Sequence, residues 1–372
     1  MASWGGALVF VVLCFTVELA TQGTAEPLLP AVFVFGDSMV DVGNNNFIEK
    51  CNISCKANYP HFGVDYPGHA PTGRFSNGYN MADRLAQLLQ FDESPPPFLS
   101  LSNASLATRM STGINFASGG SGLLDATGNG RVCTQVISLT EQVGSFKKLA
   151  RMWGHADLIS RSLILINTGN NDLFECTDFP DHNCHRNDTE FLQGLVASYT
   201  RFLKDLYGAG AKKFSVVSPS LLGCCPSQRL IAHDPKNPRD VDEHGCFAAA
   251  NDLSRRLYPM IASMLQDLSL ELPGMNYSLV DSIKMVEWLF NNTATPSYNF
   301  TVLDSACCGG GPFGAYYGCD SSAPLCRDRS NHLFWDDYHP TDAATGVAAK
   351  LMFGDTTGLF VHPINVKQLV QL

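Results

Sequence analysis

Short apolar runs alternate with amphipathic stretches along most of the chain. Ala31-Val-Phe-Val-Phe35 is closed by Gly36-Asp37, and its length and its β-branched and aromatic content predict a buried strand. Ile114-Asn-Phe-Ala117, Ser162-Leu-Ile-Leu-Ile166, Phe214-Ser-Val-Val217 and Tyr277-Ser-Leu-Val280 read the same way. Between them the pattern predicts helices over 77–90, 136–152, 189–207 and 246–268. In the last, Phe247, Ala250, Leu253, Leu257, Ile261, Met264 and Leu268 recur at steps of three and four and form one apolar face. Apolar strands separated by helices predict an α/β fold with a mainly parallel sheet covered on both faces. Ligands bind such sheets beyond the carboxyl ends of the strands, so the residues after each strand are where chemistry belongs. The Pro- and Gly-rich stretches at 92–100 and 305–324 are too short for linkers. One domain is expected.

The N-terminus stands apart. Ala7 to Val17 is an apolar run of about eleven residues, the size of a signal-peptide core and too short to span a bilayer. Small residues follow at Ala20, Thr24 and Ala25. Cleavage after Ala25 is expected, with Ala20 or Gly23 as alternatives, which makes 1–25 a signal peptide and 26–372 the mature domain.

The cysteines agree with export. Removing Cys14 from the 13 leaves an even set, crowded at Cys51/Cys55, Cys176/Cys184, Cys224/Cys225/Cys246 and Cys307/Cys308/Cys319/Cys326. Disulfide-stapled loops are expected in an oxidising compartment, with the neighbours Cys224-Cys225 and Cys307-Cys308 pairing outward. N-x-S/T sequons at Asn52, Asn103, Asn187, Asn276, Asn291 and Asn299 mark candidate glycosylation sites, expected on the surface. A secreted glycoprotein, extracellular or in a cell wall, is the result. Its net charge of −10 disfavours nucleic acid and anionic membranes as partners. After the leader no apolar window reaches a membrane span, so no integral membrane association is expected. C-x-x-C and H-E-x-x-H are absent, so no metal is expected.

Three strands end in polar loops rich in Gly or Asn. After the first comes Gly36-Asp37-Ser38-Met39, which places a serine hydroxyl at the sheet's ligand-binding edge, although Asp and Ser are also turn and cap formers. After the second comes Asn115-Phe-Ala-Ser-Gly-Gly-Ser-Gly122, whose small residues let a backbone N–H approach a ligand oxygen. No Gly-Lys-Ser/Thr follows, so nucleotide binding is disfavoured. After the third comes Asn167-Thr-Gly-Asn-Asn-Asp172, a turn or a source of side-chain N–H donors. Near the C-terminus, Asp336 and His339 are three apart in Phe334-Trp-Asp-Asp-Tyr-His-Pro340. A carboxylate so placed can orient an imidazole and stabilise its protonated form. Nucleophile, base, orienter and oxyanion donors are all available. No serine stands in G-x-S-x-G, which disfavours an ordinary α/β-hydrolase, and Met39 after Asp37-Ser38 disfavours an aspartic protease.

With these residues in view, the sequence resembles the secreted plant GDSL-type esterases/lipases of the SGNH hydrolase superfamily. Phe35-Gly-Asp-Ser-Met-Val-Asp-Val-Gly-Asn-Asn45, Pro71-Thr-Gly-Arg-Phe-Ser-Asn-Gly78, Asn115-Phe-Ala-Ser-Gly-Gly120, Gly169-Asn-Asn-Asp172 and Phe334–Pro340 match the family's blocks in order. Met39 replaces the leucine of the family name, a mild apolar change. The resemblance implies a three-layer α/β/α sandwich with a sheet of about five strands. It further implies a Ser38–His339–Asp336 triad and an oxyanion hole from Ser38 N–H, Gly120 (favoured over Gly119) and Asn171. The implied reaction is hydrolysis of a carboxylic ester, with an acyl or acetyl ester as substrate and no cofactor. A polysaccharide deacetylase and a catalytically silent binding protein are the alternatives. Loops 47–75 and 304–332 are expected to shape the pocket.

Overall fold

Strands β1 (Val32–Gly36), β2 (Gly113–Asn115), β3 (Leu163–Asn167), β4 (Lys213–Val217) and β5 (Asn276–Val280) form the parallel core of the computed structural model. The structure describes Met1 and residues 26–130, 132–179, 181–182, 184, 186–291 and 300–372. Residues 2–25 of the expected signal peptide, and the sequon Asn299, lie outside the described residues. Three further strands follow: β6 (Val302–Ala306), β7 (His332–Phe334) and β8 (Val361–Pro363). The main sheet runs β2-β1-β3-β4-β5-β8, and β6 pairs with β7 in a small second sheet. The sheet therefore has a sixth strand beyond the five expected. β8 is antiparallel to β5 and ends in Pro363, a residue confined to sheet edges because it lacks an N–H to donate.

Side-chain alternation on β1 builds the three layers. Phe33 and Phe35 face a core made with Phe146, Tyr199, Leu257 and Ile261 from helices Leu139–Trp153, Asp188–Gly208 and Ala248–Glu271. Val32 and Val34 face the opposite core, with Leu85, Met352 and Leu369 from helices Met81–Leu88, Asp342–Gly354 and Val366–Gln371. Burial on both faces is why these strands read as unbroken apolar runs.

The four predicted helices are present, with starts set by caps. Asn80 and Asp83 form a capping box, so the first begins at Met81 rather than 77; Ser138 and Glu141 do the same ahead of Leu139. Helices Asn170–Asp178, Ser282–Asn291 and Asp342–Gly354 are additional. Among the described residues, no helix is long and apolar enough to cross a membrane.

Five disulfides staple the loops: Cys55–Cys133, Cys176–Cys184, Cys224–Cys246, Cys307–Cys326 and Cys308–Cys319. Both members of Cys307-Cys308 pair outward as expected. Cys225 does not: it is a free buried thiol, and Cys51, the other free thiol among the described residues, lies in a different apolar cluster. Of the sequon asparagines, Asn52, Asn103, Asn187 and Asn291 are exposed, whereas Asn276 is only half-exposed because it opens β5.

Candidate active site

Gly36 ends β1 at φ 139°, and a Cβ there would overlap the carbonyl oxygen of Asn167 on β3. Only glycine permits this approach. The Asp37 N–H then donates to that carbonyl at 3.0 Å, and Val40 and Asp41 N–H return to the Asp37 carbonyl. The tight turn that results carries Ser38. Gln142 grips the same strand end: Gly36 N–H donates to its Oε1 at 2.9 Å, and its Nε2 donates to the Gly36 carbonyl at 3.0 Å.

The C-terminal segment completes the cluster. Trp335 N–H donates to the His339 carbonyl at 2.7 Å, closing a short loop. Inside it the Asp336 carboxylate accepts from Tyr338 N–H at 2.9 Å and His339 N–H at 2.7 Å. His339 Nδ1 lies 2.9 Å from both Asp336 carboxylate oxygens, and its Nε2 lies 2.7 Å from Ser38 Oγ. Phe75 packs on the imidazole with ring centroids 4.9 Å apart. Serine, histidine and aspartate thus lie in one hydrogen-bonded row.

The electrostatics favour a basic imidazole. Burial pulls His339 down, but the attraction and hydrogen bond of Asp336, with the charges of Asp337 and Asp37, together outweigh it, and the net shift is upward from 6.5. Burial also pushes the Asp37 carboxyl up to about 6, against the opposing hydrogen bonds from Asn170 and Met39. Neighbouring Asp337 is raised by burial and by the charge of Asp336.

Donor bookkeeping separates the paired residues in each loop. Gly119 N–H donates to Asp41 Oδ2 at 2.9 Å, whereas Gly120 N–H has no acceptor among the described residues and Gly120 lines the cavity. Ser38 N–H is likewise without an acceptor among them. Asn170 Nδ2 donates to Asp37 Oδ2 at 2.9 Å and Asn167 Oδ1 at 3.1 Å, which uses both its hydrogens. Asn171 Nδ2 donates once, to the Ser121 carbonyl at 2.9 Å, and keeps one hydrogen. Ser38, Gly120 and Asn171 all border the same cavity.

Other motif residues prove to be scaffold. Asp41 Oδ1 accepts from Gly43 and Asn44 N–H, while Asn44 Nδ2 donates to the Asn115 and Ala117 carbonyls. Asp172 accepts from Leu123 and Leu124 N–H and from the Thr127 hydroxyl, fastening the glycine loop to helix Asn170–Asp178. Arg74 forms a buried two-pronged pair with Asp83 at 2.7 and 2.8 Å. Gln142 was missed in the sequence because nothing distinguishes it from a polar helix position; its 106-residue separation from Gly36 is visible only in the fold.

A cavity of about 970 Å³ opens beside Ser38 and extends past Val217, Leu221, Val280, Met285 and Leu289, beyond the carboxyl ends of β4 and β5. Its rim includes exposed Ile53, Val132 and Tyr317. Two of these come from the loops expected to shape the pocket. Among the described residues, Cys176, His182 and Cys184 cluster at metal-ligand distances, but both sulfurs are consumed in a disulfide.

Residues 32–352 match the family described as GDSL-like Lipase/Acylhydrolase. One GDSL esterase/lipase of Arabidopsis thaliana is 36% identical over 365 residues, covering 95% of this chain and 92% of the relative. A second from the same plant is 33% identical over 366 residues (95% and 89%), and a third is 31% identical over 375 (97% and 96%).

Proposed function

The chain belongs to the GDSL-like lipase/acylhydrolase family and is an ester hydrolase, and from that premise we propose that Ser38, His339 and Asp336 are its catalytic triad. The 2.7 Å contact between His339 Nε2 and Ser38 Oγ carries this reading. Ser38 attacks the ester carbonyl as His339 Nε2 accepts its proton, and Asp336 stabilises the imidazolium. The tetrahedral oxyanion is held by the N–H groups of Ser38 and Gly120 and the spare Asn171 hydrogen. His339 then protonates the departing alcohol. Water, activated by the same imidazole, attacks the acyl-enzyme and releases the acid.

We assign the substrate as an ester with an extended apolar acyl chain rather than an acetylated polysaccharide. The walls at Val217, Leu221, Val280, Met285 and Leu289 support this, because each methylene moved from water into such walls contributes about 0.8 kcal/mol. An acetyl group would leave them unused. The five disulfides suit secretion, and the mature chain is taken as residues 26–372, with glycans at exposed sequons such as Asn103.

The test is fluorophosphonate labelling plus hydrolysis of p-nitrophenyl esters from acetate to palmitate. Labelling at Ser38, lost in Ser38→Ala together with turnover, is the expected result. A Ser38→Ala protein that still turns over would refute the triad. A kcat/KM highest for acetate would refute the acyl-chain assignment.

A further inference from the structure

Gly120 presents an N–H with no acceptor among the described residues, on the residue type with the most backbone freedom, so something else must orient it. A Cβ on Gly120 would overlap Cys133 Sγ, and a Cβ on Gly128 would overlap the Gly120 carbonyl. The glycine is therefore gripped between a sulfur and a second stretch of backbone. The grip closes on itself: Cys133 N–H donates to the Gly128 carbonyl at 3.0 Å, and Gly128 N–H donates to Glu175 at 2.7 Å.

Cys133 is itself held by Cys55 across 78 residues. Asn52 N–H donates to the Cys133 carbonyl at 3.1 Å. Asn45 Nδ2 joins the Cys55 carbonyl, at 2.7 Å, to the Gly119 carbonyl, at 2.8 Å. Both cysteines border the cavity that holds Ser38.

We propose that the Cys55–Cys133 disulfide is a positioning element for ester hydrolysis, its Cys133 sulfur holding the Gly120 N–H toward the oxyanion. The inference rests on the assignment of Gly120 as a donor. A donor left to swing must be reordered in every transition state, whereas a fixed one costs nothing at that moment. Breaking the bond takes two electrons and two protons, supplied by a dithiol that becomes a disulfide. The neighbouring thiol of Cys51 is pushed up to about 11 by burial, and a protonated thiol is a poor attacker of the bond.

The experiment uses the mature chain in a Cys51→Ala background, so that no freed thiol can re-pair, and compares Cys55→Ser with Cys133→Ala. Both variants remove the same crosslink, but Cys55→Ser keeps the sulfur beside Gly120. Sites are counted by fluorophosphonate, and kcat and KM are measured on p-nitrophenyl butyrate. The expected outcome is a similar loss of Tm in both. For Cys133→Ala, kcat should fall about 10–100-fold, short of the 10²–10³ for losing a donor outright; KM should stay within threefold and Cys55→Ser should fall less. The ³¹P resonance of the phosphonylated serine should move with kcat. Unchanged kcat per labelled site in both variants would overturn the proposal. Should neither variant fold, wild type is reduced stepwise with dithiothreitol, and its free thiols are mapped by mass spectrometry. Full activity with the Cys55–Cys133 bond open would then overturn it. A failed triad shows separately, as no labelling of the oxidised wild type.

Discussion

Replacing Asn171 and Asn170 with alanine, one at a time, should produce opposite phenotypes from adjacent residues. Asn171 keeps one side-chain hydrogen for the cavity, so Asn171→Ala removes the donor proposed for the oxyanion. That should cost about 2.7–4 kcal/mol of transition-state stabilisation, or roughly 10²–10³ in kcat. Stability should lose only the worth of one neutral hydrogen bond, to the Ser121 carbonyl, about 0.5–1.5 kcal/mol. Asn170 spends both hydrogens inside the protein, one of them on the buried Asp37 carboxyl. Asn170→Ala leaves that group with less support, at a cost of roughly 1.5–3 kcal/mol for a hydrogen bond to a charge. At about 1.3 °C per kcal/mol for a domain of this size, Tm should drop by roughly 2–4 °C. Turnover per active site should fall less than tenfold. The assays are p-nitrophenyl ester hydrolysis with active-site counting, and thermal unfolding by circular dichroism. An Asn170→Ala enzyme a hundredfold slower at unchanged Tm, beside an Asn171→Ala enzyme of normal rate, would refute the donor assignment.

Activity needs neutral His339, whose titration is raised above 6.5, so kcat/KM should climb with pH through an apparent pKa above that value. In Asp336→Asn the largest upward pull is lost while burial and the weaker attractions of Asp337 and Asp37 remain, so the limb should move to lower pH, with kcat reduced by about 10⁴; a pH–rate profile checks both. Arg74→Met should destabilise the fold by about 3–5 kcal/mol, because it strands the buried Asp83 carboxylate. Urea unfolding would read this as a lower midpoint, while activity per folded site stays within tenfold.

What could be read from the letters depended on how local the determinant was. β1 and β3 announce themselves because five consecutive residues of each are buried. β8, at three residues with a proline, carries no such pattern. Helix Asn170–Asp178 was hidden by Asn-Asn-Asp at its start, residues that equally suit a turn. Ser38, Asp336 and His339 were legible through their motifs. The letters do not distinguish Gly119 from Gly120, because the acceptor that occupies the Gly119 N–H is Asp41, which is remote in sequence. Cys225 escaped because pairing depends on which thiols meet in space, and Cys51 does not meet it.

Ser38 and His339 are 301 positions apart, one just after the first strand and the other near the polypeptide's end. Proteins are threaded out N-terminus first, so the hydroxyl emerges long before the group that activates it. On the proposed mechanism, a nascent chain that has not yet reached residue 339 has no base beside Ser38 and should be inert toward esters.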